Sequence, residues 1–168
     1  MILSAGARFR SVLLTLALLL AGCGRDNSLS GSVGELFSLE VSRVEVLRNS
    51  EALQISYYNN RGPEIDLVIR VTVAIGDLDI RNGRSFALEG EYQPGHQRTA
   101  VIHLAGGEPV RNLPPVKKGD MEISSGGGAG QSTRGNFSML FDQGGDLGAN
   151  RTLSGRFSAV AQDAGFGP

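Results

Sequence analysis

Few side chains in this 168-residue chain have a type and spacing that could support chemistry. The single cysteine, Cys23, would need a histidine or another activating group nearby to act as a nucleophile or redox thiol, and neither His96 nor His103 is close in sequence. Two histidines without a neighbouring carboxylate or cysteine do not make a zinc site. The run SSGGGAGQST suggests a phosphate loop, but Gln131 stands where lysine must reach the phosphates, and Ser125 stands where the first glycine belongs. Asp77 and Asp79 precede a glycine, yet the fifth, sixth and twelfth positions of a calcium loop are Arg81, Asn82 and Leu88. Asp142, Asp146 and Asn150 could offer oxygens from a Gly-rich loop, although acidic residues are common in such turns for backbone reasons. Glu89 and Glu91 read as a solvated strand face, and no serine lies in a Gly-x-Ser-x-Gly elbow. The expectation is therefore no catalytic, metal-binding or cofactor-binding set, and a non-enzymatic protein.

The position of Cys23 has a different explanation. Met1–Arg10 carries Arg8 and Arg10 and no acid, and Val12–Leu20 is apolar except for Thr15. A basic lead, a short apolar core and a small-residue exit describe a secretory signal peptide. As a helix the core is too short for a bilayer, which needs roughly 20 residues. The exit Leu20-Ala21-Gly22-Cys23 resembles the lipobox of bacterial lipoproteins. The resemblance covers residues 1–23 only. It implies cleavage between Gly22 and Cys23, a diacylglycerol thioether on Cys23, and an anchor of two or three acyl chains, which holds stably where one chain binds only marginally. Gly24 rather than aspartate after the cysteine implies the outer membrane. A lipid-anchored envelope location follows as an expectation.

Without residues 1–22 the chain keeps 146 residues, enough for one core. Loss of Arg8 and Arg10 leaves 14 basic against 17 acidic residues, a net charge of −3, too mild and mixed to suggest nucleic acid or an anionic membrane surface as partner. Residues 23–34 are small and polar and read as a lipidated tether, the eleven residues after Cys23 reaching about 18 Å as a coil. Residues 35–162 form the domain, with a tail at 163–168.

Alternation organises that domain. Ile65, Leu67, Ile69, Val71, Val73 and Ile75 share one face of a long strand, and Leu53, Ile55 and Tyr57 share one face of the run before it. Asn82-Gly83 suits a type I′ hairpin turn and Pro94-Gly95 a type II turn, which predicts an antiparallel meander of 64–81, 84–92 and 98–105. Phe37, Leu39 and Val41 differ in parity from Val44 and Val46, which predicts a bulge or bend near Ser42 and Arg43. GNFSMLF (135–141) and GRFSAVA (155–161) echo one another and read as a hairpin around a long mobile loop, while 106–120 and 123–135 read as loop-rich. No segment offers a capped helical period. The whole predicts an all-β fold, an antiparallel β-sandwich of seven to nine strands, with a small β-barrel as the alternative. Its expected role is a binding or structural module whose partner is another envelope protein. A barrel carrying a small molecule or lipid is the other reading.

Overall fold

The computed structural model describes residues 26–61, 64–80, 82–126, 128–144 and 147–165. The signal segment, Gly22 and Cys23 lie outside the described residues, as does Asp146. The fold is all-β, with seven strands of six or more residues, five shorter ones, and one four-residue 3-10 turn among the described residues.

The strands form one strongly curled sheet, a half-barrel whose two halves pack face to face as in a sandwich. The first half holds β2 (Arg43–Arg48), β3 (Ala52–Arg61), β4 (Glu64–Ala74), β8 (Thr99–Leu104) and the two-residue edge β9 (Arg111–Asn112). The second holds β10 (Val116–Ser125), β11 (Ser132–Phe141), β12 (Thr152–Asp163) and the short edge β5 (Ser85–Ala87). β12 belongs to both: residues 152–160 pair with β11, while Ala161–Asp163 pair in parallel with Val46–Arg48. The end strands β5 and β9 do not pair with each other, so the sheet stays open. Fully buried Tyr57, Phe137, Phe141, Phe157 and Met121 fill the space between the halves.

Alternation explains most of this. Leu53, Ile55 and Tyr57 are buried together, as are Phe137, Met139 and Phe141. The echoed segments form the expected hairpin, and their likeness has a packing cause: Phe137 stands opposite Gly155 and Gly135 opposite Phe157. A Cβ on Gly155 would lie 2.5 Å from the Phe137 ring and 2.9 Å from the Tyr57 hydroxyl; one on Gly135 would lie 2.5 Å from the Phe157 ring. Each phenylalanine covers the glycine on the partner strand.

Several expectations need correction. The meander fails: β4 pairs directly with β8, β5 crosses to β10, and β6 (Glu91–Gln93) with β7 (His96–Gln97) forms a separate hairpin. Pro94-Gly95 does turn that hairpin, with Gly95 at φ 79°, but Asn82 lacks the positive φ of a type I′ turn and Gly83 instead donates to the Ile123 carbonyl at 2.8 Å. The tether is also shorter than expected. β1 (Ser28–Ser30) pairs with β12, Ser32–Glu35 forms the 3-10 turn, and Val33 is fully buried, because Ser32 exchanges hydrogen bonds with Thr152 and Arg151 pairs with Glu35. The bend expected near Ser42 and Arg43 is present, at Ser42, directly before β2 begins. Residues 36–42 precede it as a strap outside the ladder, so that Phe37, Leu39 and Val41 still reach the core. β10, read as loop, is a ten-residue strand. A bulge between Val116 and Lys118 shifts its parity and hides its alternation.

Candidate functional site

One bulge builds the site. Against β3, Tyr57 pairs with Ile69 and Tyr58 with Leu67; against β8, Leu67 pairs with Leu104 and Arg70 with Ile102. Val68 is therefore the extra residue on both sides of β4. An extra residue reverses the facing of everything before it. Ile65, expected on the buried face, is 61 % exposed, while Asp66, expected outside, lines a hollow on the concave side.

The bulge also takes the Val68 carbonyl out of the ladder, and a buried carbonyl needs a donor. His103 supplies it: Nδ1 lies 2.8 Å from the Val68 oxygen. A carbonyl only accepts, so Nδ1 carries the proton in this contact. The imidazole is buried, and the Phe37 ring from the strap stacks on it with centroids 3.9 Å apart and planes 13° from parallel.

Two hollows flank this stack at the end of the half-barrel where β4 begins and β8 ends. The larger, about 520 Å³, lies between the strap, residues 111–115 and the loop after β11; Leu36, Phe37, Leu113, Pro114, Pro115 and Leu147 give it apolar walls. The smaller, about 220 Å³, is polar and includes Asn59, Asp66, His103 and Glu108. Leu36, Phe37 and Arg111 border both. Leu36 (40 % exposed) borders the larger hollow, and Val110 (52 % exposed) directly precedes Arg111 on the chain.

The ionisable groups here have structural partners. Asp66 accepts the Gly106 N–H at 2.6 Å, Arg111 pairs with Glu108 at 3.0 Å, and His103 serves Val68. Among the described residues no group of three His, Cys, Asp or Glu could hold a metal ion.

Of the sequence-derived candidates among the described residues, only His103 lies here; the others lie elsewhere. His96 is exposed on β7. Asp77 takes a two-pronged hydrogen bond from Arg98, both contacts 2.8 Å, which holds its carboxyl below the ordinary 3.8. Glu89, read as solvated, is half-buried and accepts the Gly119 N–H at 2.9 Å. The glycine loop is tied to β12, where Gly130 donates to the Ala161 carbonyl at 2.6 Å. The loop expected to be mobile is also held, with Arg151 Nε donating to the Leu147 carbonyl at 2.8 Å. Sequence reasoning missed Asp66, Glu108 and Arg111. The available signal was Leu67-Val68-Ile69, three consecutive apolar residues in an otherwise alternating strand. Comparison with family models, curated proteins and solved structures finds no match.

Proposed function

We propose that this chain is a bacterial envelope lipoprotein, anchored through Cys23, whose β-domain acts without catalysis as a binding module for an apolar segment of another envelope protein. The observation that carries the binding reading is the larger end hollow: six apolar walls, a volume of about 520 Å³, and an exposed apolar rim at Leu36. Exposed apolar residues gathered at a concavity favour a partner, whereas the same residues scattered singly need no explanation. The anchoring reading is supported by the lipobox-like Leu20-Ala21-Gly22-Cys23, and Gly24 favours the outer membrane. His103 and Asp66 beside the hollow are occupied by backbone hydrogen bonds, which favours binding over catalysis.

A carrier of a small apolar molecule is the second reading, favoured by the hollow's volume, which falls in the usual range of about 300–1,000 Å³. The ligand would sit at this end, because side chains fill the space between the halves.

The test is in-cell cross-linking of tagged wild type, Cys23→Ala and Leu36→Asp. Wild type should fractionate with membranes and capture one dominant protein, and Cys23→Ala should leave the membrane. Leu36→Asp should stay there but lose capture by about tenfold or more, since a buried leucine contributes at least ~1.5 kcal/mol. Undiminished capture by Leu36→Asp removes the hollow as the binding site. A co-purifying small molecule in native mass spectra, with no captured protein, selects the carrier.

A further inference from the structure

We propose that the outer face of β1, β12 and β11 is a docking surface for the phospholipid headgroups of the membrane that holds Cys23; the proposal rests on the anchoring reading above.

Burial along β11 and β12 alternates, so their even-numbered residues point outward. Those positions hold Ser132, Arg134, Asn136, Ser138 and Leu140 on β11, and Thr152, Ser154, Arg156, Ser158, Val160 and Gln162 on β12. β1 adds Ser28 opposite Arg156 and Ser30 opposite Ser154. In a chain with 17 acidic residues, none stands at an even-numbered position of these three strands, and the exposed Asp163 lies at the far end of β12. On the neighbouring β10, Asp120 stands opposite Ser138 and Glu122 opposite Asn136, so acids border this face along β11. Asp26, exposed, lies two residues before β1.

The two cations are close and free. Arg134 pairs in register with Ser158, two residues along β12 from Arg156, which places the arginines diagonally across the ladder. Diagonal neighbours are about 7–8 Å apart, within joint reach of one or two phosphates. Among the described residues neither guanidinium has a hydrogen-bond or ion-pair partner. Beside Arg156 lies a shallow hollow of about 490 Å³, bordered by Ser28, Ser30 and Ser154, whose hydroxyls suit phosphate oxygens, and by Asn136, whose amide donates to Glu122 at 3.4 Å. Val160, an exposed apolar side chain (57 %), stands opposite Ser132 on the same face. Cations for phosphate beside an apolar side chain for the acyl boundary are the groups a protein offers to a lipid interface.

The chain itself selects this occupant. Asn27 Oδ1 accepts the Ser158 N–H, so the polypeptide leaves the fold alongside Ser158 and Arg156. Cys23 is five residues before Ser28, at most about 18 Å of extended chain. A lipid on Cys23 therefore holds this face within reach of the bilayer. β1 runs from there toward the hollow end, so docking leaves the binding hollow uncovered.

The test uses the lipidated protein carrying Ser158→Cys, reconstituted in vesicles of equal phosphatidylcholine and phosphatidylglycerol. The readout is the rate of labelling by a membrane-impermeant maleimide. Ser158→Cys should label more slowly in vesicles than in detergent, while Asn112→Cys, at the hollow end, should label equally in both. Adding Arg134→Ser and Arg156→Ser should reduce the protection by roughly thirtyfold, the weight of two arginines at an anionic surface. These are outward solvent-facing positions, and an unchanged urea midpoint confirms the fold. The lipid mass on Cys23 is measured first: its absence overturns anchoring and docking together. Lipid present with equal labelling in vesicles and detergent, or protection that ignores the arginines, overturns docking alone. Protection in cells but not in vesicles assigns the face to a protein and overturns the lipid.

Discussion

Gly135 and Gly155 show how a single missing Cβ sets the thickness of this core. Gly155 lies under the Phe137 ring and beside the Tyr57 hydroxyl, which donates to the Arg156 carbonyl at 3.1 Å. Burial accordingly pushes the Tyr57 phenol far up, and the residue stays neutral. Aromatic rings cannot move aside as a flexible chain end can, so Gly155→Ala is expected to destabilise the domain by about 1–3 kcal/mol, read as a lower urea midpoint at unchanged m-value. Phe137→Leu in the same chain should recover part of that loss; strict additivity would place the strain elsewhere. His103 offers a second test at this scale. His103→Leu leaves the Val68 carbonyl buried without a donor, an expected loss of about 1–3 kcal/mol, and His103→Gln should restore part of it through its amide N–H. Equal stability of the leucine and glutamine variants would sink the bulge-capping role.

At the scale of elements, two of the side-chain contacts that hold the β6–β7 hairpin and the adjoining Arg98 to the rest of the fold have opposite pH sense. Arg98 hydrogen-bonds both Asp77 oxygens and lowers that carboxyl below 3.8. A depressed carboxyl contributes stability that is present above the unfolded value and lost as pH falls through the folded one. Tyr92 donates to Glu51 at 2.8 Å, and that bond, more than burial or charge, raises its phenol above the ordinary 10.0. This contribution is complete below 10.0 and is lost as pH rises through the folded value. Both groups are solvated, so each effect is small. Tyrosine-selective NMR should show Tyr92 titrating above 10.0 and returning toward it in Glu51→Gln; an unmoved midpoint would remove the contact as the cause. β12 works differently. By changing partner at Ala161 it turns two packed layers into one continuous sheet.

At the scale of the molecule, the two ends of the half-barrel are unlike. The end where β4 begins carries the apolar hollow and the Phe37–His103 stack, while the chain enters along β12 and runs toward it. The proposed attachment and binding surfaces are therefore different. This separation predicts that Cys23→Ala and Leu36→Asp affect location and capture independently. A Cys23→Ala protein supplied at equal local concentration should still bind its partner, and loss of that binding would mean that the lipid itself belongs to the interface.

Much of this architecture was legible in the residues alone. Alternation at period two in β3, β4, β11 and β12 specifies strands and their buried faces, because side chains alternate strictly along extended backbone. The Gly-x-Phe echo marked the β11–β12 hairpin, and Pro94-Gly95 marked its own turn. What the sequence could not provide was pairing between distant strands. β4 selects β8 over the adjacent 84–92, and β5 crosses to β10, because those choices depend on which apolar faces close the common core. Bulges at Val68 and after Val116 reverse the side-chain pattern, so Ile65 and Asp66 change places and β10 reads as loop. A one-residue shift leaves composition untouched and inverts every facing beyond it. For that reason the hollow, the buried histidine and the paired arginines of the outer face emerge only from the tertiary structure.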